Sequence, residues 1–146
     1  MKDMVQSHIL QLLCLIAMEP PNRLNDQGIR SEKVKVLESL KPLDEDGIKD
    51  NFVTAQYLDG EILGIKKPGY INEQNAENES ATETFVSVKA EIQNWRWSGV
   101  PFYLSTGKRM ASKTTQIVVH FKSDGHYIFN HKREKLKGNT LIISLH

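Results

Sequence analysis

The 146-residue sequence is 39% hydrophobic and 25% charged, proportions that fit one ordinary globular domain or part of one. Its 19 lysines and arginines nearly balance 18 acidic residues, so the overall charge favours neither nucleic acid nor a membrane as partner. Cys14, the only cysteine, excludes an internal disulfide and a multi-thiolate zinc site. Its apolar surroundings predict a buried, inert thiol. A single cysteine also fits a reducing, cytoplasmic setting.

The first elements in the chain are predicted to be helices. Residues 3–18 are apolar around most of the helical circumference, so we expect a helix buried between layers that ends before Pro20. A second helix is predicted from an N-cap at Ser31 to a stop at Pro42. Residues 44–50 are predicted to be a charged connection. Because the chain enters its first helix without a capping segment, we expect a piece of a longer protein.

The remainder of the sequence has the texture of β-structure. A polar, glycine-containing stretch over residues 60–80 predicts an irregular excursion. Strands are predicted over residues 52–58, 85–92, 100–104, 116–121, 126–129 and 140–145. Helices followed by strands without intervening helices indicate an α+β fold, with N-terminal helices and then part of a large, mainly antiparallel sheet.

Phosphate-binding glycine motifs do not occur in the sequence. Neither G-x-G-x-x-G nor G-x-x-x-x-G-K-[ST] occurs. The chain therefore shows no place of its own for a nicotinamide nucleotide.

His8 is the first candidate for catalysis. It follows Asp3 by five residues on the first predicted helix, and since successive residues turn by about 100°, the two side chains are offset around the axis. An imidazole near a cleft is the usual general base. A hydrogen-bonded core histidine is the more common occupant of such a position, and both interpretations remain open at this point.

A second candidate is the cationic loop Gly107-Lys108-Arg109, followed by Lys113, between two predicted strands. Convergent cations in a loop suit a phosphate or a sugar hydroxyl. A solvated turn is the alternative, and spacing alone favours it.

Aromatic residues and further histidines offer weaker alternatives. The segment Asn94-Trp95-Arg96-Trp97 could stack on nucleic acid bases, although large aromatics beside Gly99 are more often core and turn residues. Four histidines have spacings that match no common metal site: His120, His126, His131 and His146.

Several blocks of the sequence match one enzyme family in order. Residues 2–14, KDMVQSHILQLLC, resemble the stretch R-D-M-x-Q-N-H-L-L-Q-x-L-C. Residues 94–104, NWRWSGVPFYL, and 106–110, TGKRM, are similarly close, and shorter matches lie between them. Over nearly its whole length the chain thus resembles the glucose-6-phosphate dehydrogenases.

The resemblance implies a role for each candidate residue. The family oxidises C1 of β-D-glucose 6-phosphate to 6-phosphoglucono-1,5-lactone and passes hydride to NADP, the first step of the pentose phosphate pathway. His8 would be the general base that removes the C1 hydroxyl proton. Asp3 matches a residue that hydrogen-bonds the sugar, Lys108 matches a substrate-contacting lysine, and Lys113 matches a second cation nearby.

The resemblance also implies a domain organisation. Residues 1–146 would be part of the C-terminal, substrate-binding and dimerisation domain, without the N-terminal NADP-binding Rossmann domain and its D-H-Y-L-G-K-E block. We therefore expect no NADP on this fragment, no activity from it alone, and homo-oligomers through the sheet in the full-length enzyme. Ser105 stands where an arginine helps some members hold a second, structural NADP, so that site is not expected. The alternative function is a non-catalytic sugar-phosphate-binding or dimerisation module.

Overall fold

The computed structural model describes residues 4–62, 64–73, 81–122 and 138–145. The chain divides into two compact units, Met1–Arg109 and Met110–His146, each of which is considered by itself. N-terminal helices are followed by antiparallel strands, so the predicted α+β class is confirmed.

A π turn and three α-helices form the amino-terminal part of the first unit. The π turn spans Val5–Ile9 and continues directly into helix α1, which spans Leu10–Ala17. Together they form the helical segment that was predicted over residues 3–18. Helix α2 spans Asp26–Glu38 and helix α3 spans Glu45–Asn51. None of the helices in the described ranges is long and apolar enough to cross a membrane.

Helix α2 begins earlier than predicted. The side-chain oxygen of Asn25 accepts a hydrogen bond from the Gly28 backbone N–H at 2.8 Å, which makes Asn25 the N-cap. The predicted N-cap at Ser31 is therefore wrong, because Ser31 lies inside the helix. Gly28 is needed in this first turn since a Cβ there would clash with the carbonyl oxygen of Arg23.

The connection predicted over residues 44–50 is also wrong. Asp44 caps helix α3 by accepting from the Gly47 backbone N–H at 2.7 Å. Near the other end, the Asn51 side chain donates to the Gly47 carbonyl at 2.9 Å. A side-chain cap and a closing hydrogen bond thus stabilise a short helix whose composition alone indicates a polar linker.

The described strands form three antiparallel groups. Strands β1, β4 and β5 form a sheet in the order β1-β4-β5, β2 pairs with β3, and β6 pairs with β7 in the second unit. Their bounds are β1 Phe52–Ala55, β2 Gly60–Ile62, β3 Ile65–Lys67, β4 Phe85–Glu91, β5 Pro101–Gly107, β6 Thr115–His120 and β7 Thr140–Leu145. The stretch predicted to be irregular therefore contains the β2–β3 hairpin and a 3-10 turn at Tyr70–Asn72. The strand predicted over residues 126–129 lies outside the described residues.

The core of the first unit joins the helices to the sheet. Its buried members are Leu13, Cys14, Ala17, Val36 and Ile92, with side chains from β5 packed against them. Cys14 has 0% exposure, which confirms the predicted buried thiol. Leu15, on the opposite side of α1, is exposed. Within the first unit, therefore, only one side of this helix is buried, although its side chains are apolar around most of the circumference.

Candidate functional site

His8 lies in the π turn at the start of helix α1. The backbone N–H of Leu10 donates to the Val5 carbonyl, five residues back, which is the widened hydrogen bond of a π turn. Such turns occur frequently at functional sites. The His8 side chain is exposed, so it is not the buried core histidine that spacing alone favoured, and its ring is accessible to a ligand.

The cationic loop directly follows strand β5, which contacts the π turn. Just before β5, the Trp97 indole N–H donates to the Ala17 carbonyl at 2.9 Å, at the carboxyl end of α1. Strand β5 also lies against the π turn at the other end of that helix. Lys108 is the residue that follows the last position of this strand, so the strand that contacts the π turn of His8 leads directly into the cationic loop.

The backbone of Lys108 is held by a buried threonine. The Lys108 N–H donates to the Thr84 carbonyl at 2.8 Å, and the Thr84 hydroxyl oxygen accepts from the Tyr57 N–H at 2.9 Å. Thr84 itself is buried. The Lys108 side chain is exposed and forms no ion pair with any described residue, so its ammonium group is available to an anionic ligand.

The structure does not test two of the predicted site residues, Asp3 and Lys113. Asp3 lies outside the described residues. Lys113 is exposed and belongs to the second unit, before β6. Their roles stay predictions.

A cluster beside Lys108 was missed by sequence reasoning. The guanidinium group of Arg109 forms an ion pair with Glu73 and lies 5.0 Å from the centre of the Tyr57 ring. The Tyr57 hydroxyl donates to the Glu73 carboxylate at 2.7 Å. Burial, with the hydrogen bond to Glu73, raises the pKa of Tyr57 above its ordinary value. Arg109 is therefore not a free cation of the loop, and we call these three residues the Tyr57–Glu73–Arg109 cluster.

The aromatic segment before β5 has a structural role at one of its two tryptophans. Trp97 packs edge-to-face on Phe102 with ring centres 5.2 Å apart, in agreement with a core residue. Trp95 is exposed, and the Arg96 guanidinium lies 4.8 Å from its ring centre. Arg96 also binds both carboxylate oxygens of Glu19, at 2.6 and 2.8 Å, and so links this segment to the end of α1.

The other histidines do not form a metal site within the described ranges. His120 lies on β6, where its Nδ1 is 3.2 Å from the Thr140 hydroxyl on β7. No group of three His, Cys, Asp or Glu side chains suited to a metal ion occurs among the described residues. The remaining three lie outside them: His126, His131 and His146.

Comparison with known families agrees with this arrangement of helix, sheet and loop. The family model described as "Glucose-6-phosphate dehydrogenase, C-terminal domain" matches residues 1–146. The chain belongs to this family.

Curated relatives of the glucose-6-phosphate dehydrogenase family are similar along the whole chain. The glucose-6-phosphate 1-dehydrogenases of Dickeya dadantii and Bacillus subtilis are each 48% identical over 145 residues, which is 99% of this chain and 30% of each relative. That of Mycolicibacterium smegmatis is 49% identical over 145 residues, 29% of its length. The chain thus spans about 30% of the length of these relatives.

Solved structures of the family share the fold. A glucose-6-phosphate dehydrogenase in complex with its substrate glucose-6-phosphate superposes with a TM-score of 0.82 and 31% identity, over 98% of this chain and 28% of that one. Glucose-6-phosphate 1-dehydrogenase from Mycobacterium avium superposes with a TM-score of 0.76 and 29% identity, over 98% and 29% of the two chains. These matches confirm that the chain has the fold of the family's C-terminal domain.

Proposed function

We propose that this chain is the sugar-binding part of a cytoplasmic dehydrogenase that oxidises β-D-glucose 6-phosphate to 6-phosphoglucono-1,5-lactone with NADP, the first step of the pentose phosphate pathway. One observation carries the proposal: the exposed imidazole of His8 lies in the π turn that β5 contacts, and β5 leads directly into Lys108, whose ammonium group forms no ion pair with any described residue. The chain's membership of the family supports it.

His8 acts in this mechanism as the general base. Its neutral imidazole accepts the proton of the C1 hydroxyl, the electrons of that O–H bond form the new C=O bond, and the C1 hydrogen leaves with its bonding pair. A base held beside C1 contributes by its position as well as by its basicity. His8 lies in the π turn with its side chain exposed, so a substrate can approach the ring.

The cationic and acidic side chains bind and orient the sugar phosphate. The Lys108 ammonium pairs with the anionic or hydroxyl oxygens of the ligand, and its backbone bond to Thr84 fixes where the side chain starts. Asp3 accepts hydrogen bonds from sugar hydroxyls, and Lys113 supplies a second cation.

We do not expect the residues of this chain to bind the hydride acceptor. A dinucleotide site needs parallel strands joined by a helix and a glycine-rich turn, whereas every strand pair in the described residues is antiparallel and the sequence lacks G-x-G-x-x-G. NADP, when bound, supplies the hydride acceptor from another part of the enzyme. We therefore expect the 146-residue chain alone to be inactive. We also propose that the full-length enzyme forms homo-oligomers through the sheet.

The test places these residues in a complete enzyme. The chain replaces the matching 145-residue segment of the Dickeya dadantii relative, and NADP reduction is measured with glucose 6-phosphate. We expect activity from this chimera, and His8→Asn should lower kcat by about 10²- to 10⁴-fold with little change in KM. His120→Asn, a second exposed histidine, is the control that should keep kcat.

The outcomes separate the two candidate functions. Near wild-type kcat in His8→Asn would refute the base assignment. A chimera that binds glucose 6-phosphate without reducing NADP would favour a non-catalytic sugar-phosphate-binding module.

A further inference from the structure

Two neighbouring cations follow strand β5, and they have different partners. The Lys108 ammonium forms no ion pair within the described part of the chain, whereas the Arg109 guanidinium is paired with Glu73 and stacked on Tyr57. Glu73 therefore neutralises one of two adjacent positive charges. An anion that approaches this turn meets one uncompensated side-chain charge, that of Lys108, in place of two.

The backbone at Arg109 needs support from its surroundings. Its φ of 53° lies in the left-handed region, which residues other than glycine, asparagine and aspartate adopt rarely. Side-chain contacts that hold the residue compensate for this conformation. The ion pair to Glu73 and the stacking on Tyr57 are contacts of that kind.

Both halves of the turn are tied to the same support. Lys108 is bonded through its N–H to the Thr84 carbonyl, and the Thr84 hydroxyl is bonded to the N–H of Tyr57. The ring of Tyr57 then lies under Arg109, and its hydroxyl binds Glu73. Lys108 and Arg109, which are adjacent in the sequence, are thus both connected to Tyr57: Lys108 through Thr84, and Arg109 by direct contact with the ring.

The support is itself well held. Tyr70 packs edge-to-face on Tyr57 with ring centres 5.8 Å apart, and its N–H donates to the Tyr57 carbonyl at 3.0 Å. This pair of tyrosines connects the 3-10 turn at Tyr70–Asn72, which leads into Glu73, to the segment after β1. The contacts between the two tyrosines therefore hold the backbone just before Glu73, and this places the Glu73 carboxylate beside Arg109.

We propose that Arg109 is a positioning residue for the sugar-phosphate site. Held by Glu73 and Tyr57, it fixes the turn after β5 so that the Lys108 ammonium is presented to the phosphorylated hexose, and its own neutralised charge does not compete for the phosphate. This inference rests on the proposed function, since it assigns Lys108 to substrate binding. Arg109 acts through Lys108 and does not touch the substrate.

The kinetic test uses the Dickeya chimera described above. Arg109→Ala should raise KM for glucose 6-phosphate about tenfold, and kcat and KM for NADP should change by less than about twofold. Arg109→Lys keeps the positive charge but loses the planar guanidinium group, and it should show a smaller rise in KM. Arg96→Ala is the matched control, because it breaks a bidentate ion pair at the other end of α1 and should leave KM unchanged.

A double-mutant cycle decides whether Arg109 acts through Lys108. Lys108→Ala should itself raise KM for the sugar phosphate, and Arg109→Ala should add nothing further in that background. Additive effects would overturn the proposal, since Arg109 would then act independently of Lys108. If Lys108→Ala leaves KM unchanged, the proposed function loses its binding residue. If Lys108→Ala raises KM and Arg109→Ala does not, only the positioning role is wrong.

Hydrogen exchange of the 146-residue chain tests the structural half without any substrate. Arg109→Ala should speed exchange of the Lys108 amide, which is bonded to Thr84, by about tenfold or more. The Gln93 amide, bonded to the Ser39 carbonyl, should keep its protection and reports whether the fold is intact. Unchanged exchange at Lys108 would contradict the proposal. If Gln93 also loses protection in Arg109→Ala, the milder variant Tyr57→Phe is used instead, because it keeps the ring and removes only the hydrogen bond to Glu73. The deciding comparison is then the exchange rate of the Lys108 amide in Tyr57→Phe and in the wild type.

Discussion

Cys14 shows at the residue scale how burial controls reactivity. Its side chain has 0% exposure, and this burial raises the pKa of the thiol above its ordinary value, although nearby Lys33 opposes the shift. The thiolate is the reactive form of cysteine. A thiol that is inaccessible and more firmly protonated than usual should therefore be inert while the chain is folded.

We expect a disulfide reagent such as dithionitrobenzoate to leave Cys14 unmodified in the native chain and to react with it fully in denaturant. The reason is that reaction requires local or global opening. A Ser98→Cys, Cys14→Ala double variant supplies an exposed thiol as the control and should react at once under native conditions. Rapid stoichiometric modification of native Cys14 would contradict its burial.

Individual residues also show what the sequence can and cannot predict. The inert thiol follows from a single cysteine in an apolar run. The proposal that His8 is a base depends on the match of the surrounding block to a family, since spacing alone favoured a core residue. The pairing of Arg109 with Glu73 could not be predicted from the sequence. The two residues are far apart along the chain, and they meet through a turn that no periodic pattern in the sequence indicates.

At the scale of elements, local caps decide where the helices begin. The sequence predicted an N-cap at Ser31 for the second helix and a charged connection over residues 44–50. In the structure Asn25 and Asp44 each accept a hydrogen bond from the backbone three residues later. Sequence reasoning found the long apolar helix and the alternating strand β4 but misplaced these starts, since periodicity is weak where a capping side chain provides the stability.

Asn25→Ala should lower the free energy of unfolding by about 1 kcal/mol, because the Gly28 N–H loses its side-chain acceptor. Ser31→Ala is the matched comparison: it lies on an exposed position inside α2, where alanine is the better helix former, so we expect no loss. Urea denaturation followed by circular dichroism measures both. A larger decrease in the free energy of unfolding for Ser31→Ala than for Asn25→Ala would indicate that Ser31, and not Asn25, is the N-cap.

The ion pair between Glu19 and Arg96 makes the junction of α1 with the segment before β5 sensitive to acid. The hydrogen bonds from Arg96 lower the pKa of Glu19 in the folded chain below its ordinary value. Its contribution to stability is therefore complete above the ordinary glutamate pKa of about 4.3 and is lost as the pH falls through the lower folded value. Both side chains are partly exposed, so the effect should be small and salt-sensitive.

Replacing Glu19 by glutamine should flatten the acid side of the profile of unfolding free energy against pH, with the largest difference from wild type near neutral pH and convergence at low pH. Glu45→Gln is the control, because Glu45 lies in the first turn of α3 and forms none of the observed ion pairs in the described residues. Two parallel profiles for wild type and Glu19→Gln would show that the pair does not contribute.

At the scale of the whole molecule, the three-stranded sheet of the first unit has one covered face and one open face. On the covered face Val86 on β4 is buried, and Phe102 and Leu104 on β5 pack against the core of the first unit. On the opposite face Ser87 and Ser105 share a hydrogen bond at 2.8 Å, flanked by the exposed side chains of Val53 and Tyr103. The α+β class and this alternation follow from the sequence, whereas the division into two units does not, because it depends on which strands pair.

We expect this open face to mediate self-association of the chain, in keeping with the proposed homo-oligomer. Tyr103 is 71% exposed and Val53 is 56% exposed, so covering both would remove apolar surface from water. The double variant Val53→Asp, Tyr103→Asp would bury two unpaired charges in the interface and should raise the dissociation constant at least about tenfold. Leu24→Asp removes a side chain that is 88% exposed in the loop before α2 and should leave association unchanged. Sedimentation velocity over a range of concentrations measures all three, and equal weakening by Leu24→Asp would show that association is general hydrophobic aggregation and does not use the sheet.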